Sequence, residues 1–259
     1  MNNVFALAGV VIKELYRRKD FYVLFVMTAL LTLLLGAMRF FDNADIVRFL
    51  KEICLLLIWI STLVIAITTA ARQIPAERES RTIFPLLAKP VSRWELIAGK
   101  FAGCWLACVI ALVVFYFFFG VITATHEHAW PGVIFLQAFW MHAVFLAVVV
   151  ALVLLGSVAF TAQSSNATIS FIVVLGILFA GGHLDKTAAG LRGTNGDIVR
   201  ALHFAIPHLE LYDIRDFVVH DLAKIDWQYI GEATLYGALY TGLLLGLTWL
   251  VFRRKTLTL

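Results

Sequence analysis

Charged side chains are scarce in this sequence. Only 15% of the 259 residues are Asp, Glu, Lys or Arg, whereas 61% are hydrophobic. Soluble domains carry about a quarter charged residues, so this chain lacks the charge that covers a soluble surface. It also has no basic patch interleaved with exposed aromatic residues, so we expect no nucleic-acid partner. The composition indicates an integral membrane protein.

Cysteine is rare, and Cys54, Cys104 and Cys108 all lie in apolar runs. A lipid-embedded position suits neither a disulfide framework nor a zinc site. We therefore interpret the three thiols as small packing residues, and we expect no metal and no cofactor on this chain.

Catalytic motifs are also missing. A phosphate-binding loop has the form G-x-x-x-x-G-K-[ST], but the sole Gly-Lys pair, Gly99-Lys100, is followed by Phe101. We therefore expect that the chain is not an enzyme and does not hydrolyse ATP. The segment His126 to His128 lacks the spacing that places two imidazoles on one helix face. We interpret it as a solvated loop, with a weak metal site as the alternative.

Titratable groups are nearly absent from the apolar runs. Ion-coupled carriers place such groups inside the membrane, yet here Glu232 lies at the edge of a run and His142 is the one group near the middle. This pattern argues against a proton-driven carrier. We interpret His142 as a hydrogen-bonded packing residue.

Six apolar runs approach or exceed the roughly 20 residues needed to cross a bilayer. We predict an all-α polytopic membrane protein, with residues 1–259 forming a single transmembrane domain. The fifth run is the shortest. The six predicted spans are Phe21–Phe40, Ile53–Ala71, Phe101–Thr123, Val133–Phe160, Ile169–Gly182 and Gly231–Phe252.

Basic residues indicate the orientation of these spans. The N-terminal segment, the second connection and the C-terminus together hold 13 of the 21 Lys and Arg residues. Loops rich in Lys and Arg stay in the cytoplasm. We therefore predict cytoplasmic termini, a cytoplasmic connection at 72–100 and an outer loop at 183–230.

Helical spacing of apolar residues predicts further helices outside the spans. Residues 3–19 form an amphipathic helix that we expect on the membrane surface, either as an anchor to anionic lipid or in coupling. Two short amphipathic helices are expected in the outer loop, one from Ile198 to Ile206 and one from Leu211 to Leu222, separated by Pro207. Four histidines in that loop match no single tetrahedral site, and they are interpreted as surface residues. They are His183, His203, His208 and His220.

Two patterns predict packing within the membrane. The pairs Gly99–Gly103 and Gly242–Gly246 allow helices to approach closely, and we expect contacts within the chain more than dimerisation. The aromatic run from Phe115 to Phe119 is expected to face lipid, with the lining of an apolar substrate path as the alternative.

The second connection is the sizeable polar segment on the predicted cytoplasmic side. Ser92 and Glu95 form a capping box, S-x-x-E, so we expect the helix that leads into the third span to begin there. Between Glu77 and Leu87 lies a charged stretch with an apolar end. This stretch is expected to dock into a partner, and the alternative is that it rests on the membrane.

This connection resembles the cytoplasmic signature of type-2 ABC export permeases, most closely the branch that contains the permease for maturation of nitrous-oxide reductase. In that family an acidic pair and Arg-Thr precede two leucines, and Lys-Pro, Ser-Arg and Gly-Lys follow. The surface helix, the six spans and the long outer loop also match. The matching residues are Glu77, Glu79, Arg81, Thr82, Leu86, Leu87, Pro90, Arg93, Gly99 and Lys100.

The resemblance implies the membrane subunit of an exporter in the cell (inner) membrane. Two separate P-loop ATPase subunits would carry ATP and Mg²⁺, and a second permease copy, identical or related, would complete the channel. A non-transporting scaffold or an ATP-independent carrier remains the alternative. The residues expected to couple to the ATPase are Glu77, Glu79, Arg81, Thr82, Ile83, Phe84, Leu86 and Leu87.

Overall fold

The protein is described here by a computed structural model, which covers residues 2–17, 22, 26, 29–30, 44–79, 92–127, 132–190, 206–220 and 224–254. Within these residues the chain is helical and contains no strand, which confirms the predicted all-α class. The first predicted span, Phe21–Phe40, lies outside the described residues apart from four isolated helical positions.

The described helices are numbered in chain order. They are α1 Asn2–Tyr16, α2 Ala44–Ala71, α3 Pro75–Glu79, α4 Arg93–Glu127, α5 Val133–Ala159, α6 Gln163–Gly190, a 3-10 helix Leu209–Tyr212, α7 Arg215–Val219 and α8 Trp227–Arg254.

Five stretches among the described residues are long and apolar enough to cross a membrane, and they correspond to the second to sixth predicted spans. They belong to α2, α4, α5, α6 and α8. Each helix matches its prediction in place, but α2, α4, α6 and α8 extend beyond the predicted apolar runs. The extensions carry polar residues. A helix continues through them because its hydrogen bonds are made by the backbone, whereas a prediction from apolar runs ends where the polar residues begin.

Helix α5 is the central helix of the bundle. It packs against α2, α4, α6 and α8, and its residues from Met141 to Leu154 are mostly buried. Large aromatic side chains fill the space around it, with Phe115 and Phe119 from α4 and Phe145 from α5 each about 1% exposed. The aromatic run at Phe115–Phe119 therefore lies largely in the core, contrary to the expectation that it faces lipid. Phe117, which is 60% exposed, does point outward from the bundle.

Buried amides join the helices to one another. Asn166 on α6 is fully buried and donates hydrogen bonds to the carbonyls of Ala71 on α2, at 3.0 Å, and Val153 on α5, at 3.3 Å. Gln137 on α5 exchanges two hydrogen bonds with the backbone of Ile225. An amide left without partners in an apolar interior is costly, so these contacts favour one arrangement of the spans.

The N-terminal helix α1 packs directly on α4. A Cβ atom at Gly99 would lie 2.6 Å from the Leu7 Cβ, and one at Gly103 would lie 2.7 Å from the Val11 Cβ. This G-x-x-x-G pair therefore serves packing within the chain, as predicted. In contrast, a Cβ at Gly242 or Gly246 would meet no atom within 4 Å of the described protein.

The described part of the segment after α6 contains shorter helices than the spacing predicts, and the expected helix from Ile198 to Ile206 lies outside the described residues apart from Ile206. Helical spacing from Leu211 to Leu222 indicates one helix, but the chain forms a 3-10 turn that ends at Tyr212 and then α7 from Arg215 to Val219. The break falls at Asp213, whose carboxylate accepts a hydrogen bond from the backbone N–H of Arg215. Such local side-chain bonds compete with a continuous helix.

Candidate functional site

The connection between α2 and α4 is the candidate functional site, and its first half is held by a buried lysine. Lys100 is 3% exposed, and its Nζ lies 2.6 Å from Oε1 of Glu77 in α3. The same ammonium group donates to the carbonyl of Gln73 at 2.9 Å. A buried ammonium group needs such partners, so α3 is bound to the side of α4.

The second half of the connection ends at the capping box. The backbone N–H of Ser92 donates to Glu95 Oε2 at 2.8 Å, and the backbone N–H of Glu95 donates to Ser92 Oγ at 3.2 Å. These reciprocal bonds satisfy donors that the first turn of a helix leaves open. The predicted start of the helix is confirmed, because α4 begins at Arg93.

Arg93 links this point to the end of the last span. Its Nη1 donates to the carbonyls of Phe252 at 2.7 Å and Arg253 at 3.0 Å, and its guanidinium lies 5.4 Å from the centre of the Phe252 ring. Carbonyls in the last turn of a helix have no partner within the helix. Arg93 therefore caps α8 and fixes it to the start of α4.

The connection is thus attached to the transmembrane bundle at both of its ends. Lys100 fixes the entry side to α4, and Arg93 fixes the exit side to α8. A displacement of the chain between these points would pull on both spans. The family resemblance indicated Lys100 and Arg93 in the sequence, whereas Gln73, a lone amide in the turn after α2, was not predicted.

The predicted coupling residues lie only partly within the described chain. Glu77 and Glu79 are in α3, where Glu77 is held by Lys100 and Glu79 is exposed. The other six lie outside the described residues, so their docking role stays a prediction. They are Arg81, Thr82, Ile83, Phe84, Leu86 and Leu87.

The opposite end of the bundle is covered by the segment 206–220. Asp213 and Arg215 form a two-bonded ion pair, with oxygen–nitrogen distances of 2.7 and 2.6 Å, and the Arg215 guanidinium lies 5.4 Å from the centre of the Trp59 ring on α2. Burial raises the pKa of Asp213, but the hydrogen bonds and charge of Arg215 outweigh it and hold the pKa below its ordinary value. Tyr212 donates to the Ala233 carbonyl on α8 at 3.0 Å.

His142 lies beneath this cover and is fully hydrogen-bonded. Its Nε2 is 2.9 Å from the Thr62 hydroxyl, which itself donates to the Ile58 carbonyl at 2.8 Å. Because the Thr62 hydroxyl donates its hydrogen to this carbonyl, it accepts a hydrogen bond from His142. A neutral imidazole with its proton on Nε2 fits both bonds. The Tyr116 hydroxyl lies 3.5 Å from Nδ1. The predicted packing role of His142 is confirmed.

The remaining candidates from the sequence are structural or undescribed. Cys54, Cys104 and Cys108 are buried free thiols. His208 and His220 each bond a nearby backbone carbonyl through Nδ1. The side chains of His183 and of the segment 126–128, and all of His203, lie outside the described residues.

A bundle of membrane-length helices, with a polar connection at one end and a covering segment at the other, is the architecture of a polytopic membrane protein. The family model of the ABC-2 family transporter proteins matches residues 19–255, which is nearly the whole chain. The chain belongs to this family of ABC transporter permeases. No curated protein matches it.

Proposed function

We propose that this chain is the membrane subunit of an ATP-driven exporter, and that it converts ATP hydrolysis on two separate P-loop subunits into movement of its spans. The family membership supports a permease subunit. The proposal adds the direction of transport, ATP coupling through the connection at 72–100, and a second permease copy, identical or related, beside this one.

One observation carries the coupling proposal: both ends of the connection are bound to spans. Lys100 joins α3 to α4, and Arg93 joins the start of α4 to the last turn of α8. A partner that moves the residues between them therefore acts on two helices together. Rigid-body motion of packed elements is an established route for such switching.

The orientation is part of the same proposal. The connection at 72–100 and both termini carry most of the Lys and Arg residues, which favours the cytoplasm of a cell membrane for all three. A single cysteine at Ser80, in a variant without the native cysteines, tests this. An impermeant thiol reagent is expected to label Ser80→Cys only after the membrane is opened, and labelling of intact cells contradicts the orientation.

The docking hypothesis concerns the apolar residues of the connection. Burial of Phe84 and Leu87 in a groove of the partner would contribute about 3 to 6 kcal/mol before ordering costs. Phe84→Ala with Leu87→Ala is therefore expected to weaken ATPase association or to separate hydrolysis from transport. Reversal of the charge at Glu79 is expected to act more mildly and to depend on salt.

The matched control is Phe217→Ala. Phe217 lies on the covering segment 206–220, and its side chain is 38% exposed. The control variant is expected to leave ATPase association intact. Co-purification of the tagged chain with its ATPase, followed by hydrolysis assays with and without the permease, measures both effects. Normal assembly and transport by the double variant would place the apolar residues on the membrane instead.

A further inference from the structure

We propose that a groove beside α1 binds the phosphate group of an anionic phospholipid. Its lining residues come from two parts of the chain. They are Val10, Lys13, Glu14 and Arg17 from the N-terminal segment and Arg72 from the turn that follows α2, and the groove has a volume of about 410 Å³.

The charges of the groove favour an anion. Three cations line it, and one carboxylate, Glu14, opposes them. Lys13 and Arg17 are exposed and lie one helical turn apart on the same face of the segment. Because Glu14 neutralises only one cation, the groove keeps an excess of positive charge that a phosphate group would balance.

Arg72 is already positioned for a second oxygen ligand. Its side chain is 12% exposed, and its Nη2 donates to Glu14 Oε1 at 3.1 Å. The other terminal nitrogen, Nη1, is buried and has no hydrogen-bond partner. A buried donor without a partner is costly, and guanidinium groups match phosphate oxygens well. Because Arg72 lines the groove, a rotation of its guanidinium group would bring this nitrogen to a phosphate oxygen bound there.

The position of the groove favours a lipid over a soluble phosphate. Arg72 directly follows Ala71, the last residue of a membrane-length helix, so the groove lies at the depth where a span reaches the headgroups. Val10 is 62% exposed and lines the same groove, and Phe5 on α1 is 69% exposed. Apolar surface beside cations suits the glycerol and upper acyl region of a phospholipid. If the orientation proposed above holds, this lipid belongs to the cytoplasmic leaflet; the site itself does not depend on that orientation.

Native mass spectrometry of the full chain in detergent tests the site, with palmitoyl-oleoyl phosphatidylglycerol and palmitoyl-oleoyl phosphatidylcholine as probes. The wild-type chain is expected to bind phosphatidylglycerol more tightly. Lys13→Gln with Arg17→Gln removes two cations and is expected to weaken that binding about thirtyfold, given the contribution of each cation near an anionic surface. Lys224→Gln with Arg254→Gln, which removes two exposed cations elsewhere, is the control and is expected to change nothing.

A variant that is expected to bind more tightly keeps the test interpretable if the charge-removal variants misfold. Glu14→Gln removes the competing carboxylate and is expected to tighten phosphatidylglycerol binding severalfold. Equal weakening by both double variants would show a bulk charge effect and overturn the site. Binding of inorganic phosphate as tight as that of the lipid would overturn the lipid assignment. If Lys13→Gln with Arg17→Gln leaves lipid binding unchanged but abolishes co-purification with the ATPase in a separate assay, the groove is a protein contact instead. Because the lipid measurement uses the isolated chain, it is independent of transport.

Discussion

The ammonium group of Lys100 lies 2.6 Å from the Glu77 carboxylate in a position where Lys100 is only 3% exposed. The pair joins the short helix α3 to the side of α4. It thereby places the start of the proposed coupling connection against a transmembrane helix.

Replacement of Lys100 by Met is expected to lower the free energy of unfolding by about 2 kcal/mol, because the partly buried Glu77 carboxylate loses the ammonium group of Lys100. Unfolding in mixed detergent micelles measures the change. Lys100→Met with Glu77→Gln is expected to be less destabilised than the sum of the two single variants. Additive effects would show that the two side chains do not interact.

Replacement of Gly103 by Ala is expected to loosen α1, since the new Cβ would lie 2.7 Å from the Val11 Cβ. Overpacking of this kind costs about 1 to 3 kcal/mol. Limited proteolysis within residues 2–17 is expected to become faster.

The control for that variant is Gly242→Ala, where no atom lies within 4 Å of the added Cβ. It is expected to leave proteolysis unchanged and to stabilise the helix by up to about 1 kcal/mol. Similar proteolysis of both variants would contradict the close contact between α1 and α4.

Replacement of Arg93 by Gln is expected to release the last turn of α8. Its hydrogen bonds to the carbonyls of Phe252 and Arg253 would be lost, at a cost of about 1 to 2 kcal/mol for a partly exposed contact. Hydrogen exchange of the amides at 250–254 is expected to accelerate. Arg254→Gln removes an adjacent charge without these bonds, and equal acceleration in both variants would argue against the cap.

Replacement of Asp213 by Asn is expected to destabilise the covering segment by about 1 kcal/mol at neutral pH, because Arg215 loses its charged partner. The pKa of Asp213 in the folded protein lies below its ordinary value. Its contribution is therefore complete above the unfolded pKa of about 4 and is lost as the pH falls through the folded pKa.

Thermal unfolding of wild type and Asp213→Asn at pH 7, 5 and 3 checks this prediction. The difference in melting temperature between the two proteins is expected to persist at pH 5 and to narrow at pH 3. A difference that widens on acidification would mean that the ion pair does not hold the segment.

Much of the architecture could be predicted because it depends on local patterns. The apolar runs locate the spans, and the pair Ser92 and Glu95 marks the first turn of α4. Both signals lie within a few residues of the feature that they predict. The Gly99–Gly103 pair also indicated a close helix contact, although it did not identify α1 as the partner.

The remaining features depend on residues that are far apart in the chain. Nothing near Asn166 indicates that it donates to the Ala71 carbonyl, 95 positions away. Nothing near Arg93 indicates that it caps α8, and the break at Asp213 interrupts a spacing that is otherwise helical. Tertiary contacts decide these cases, whereas a single sequence reports only local preference.

The contact between α1 and α4 also bears on how the protein is made. Asn3 and Glu95 are in contact although they lie 92 residues apart in the chain. During synthesis, α1 therefore emerges long before the surface that it covers exists, and it cannot complete its packing until α4 has entered the membrane. Long-range closure of this kind is slow. Helix α1 is thus translated well before α4 but reaches its final place only after α4 is inserted, which makes its docking a late step of biogenesis.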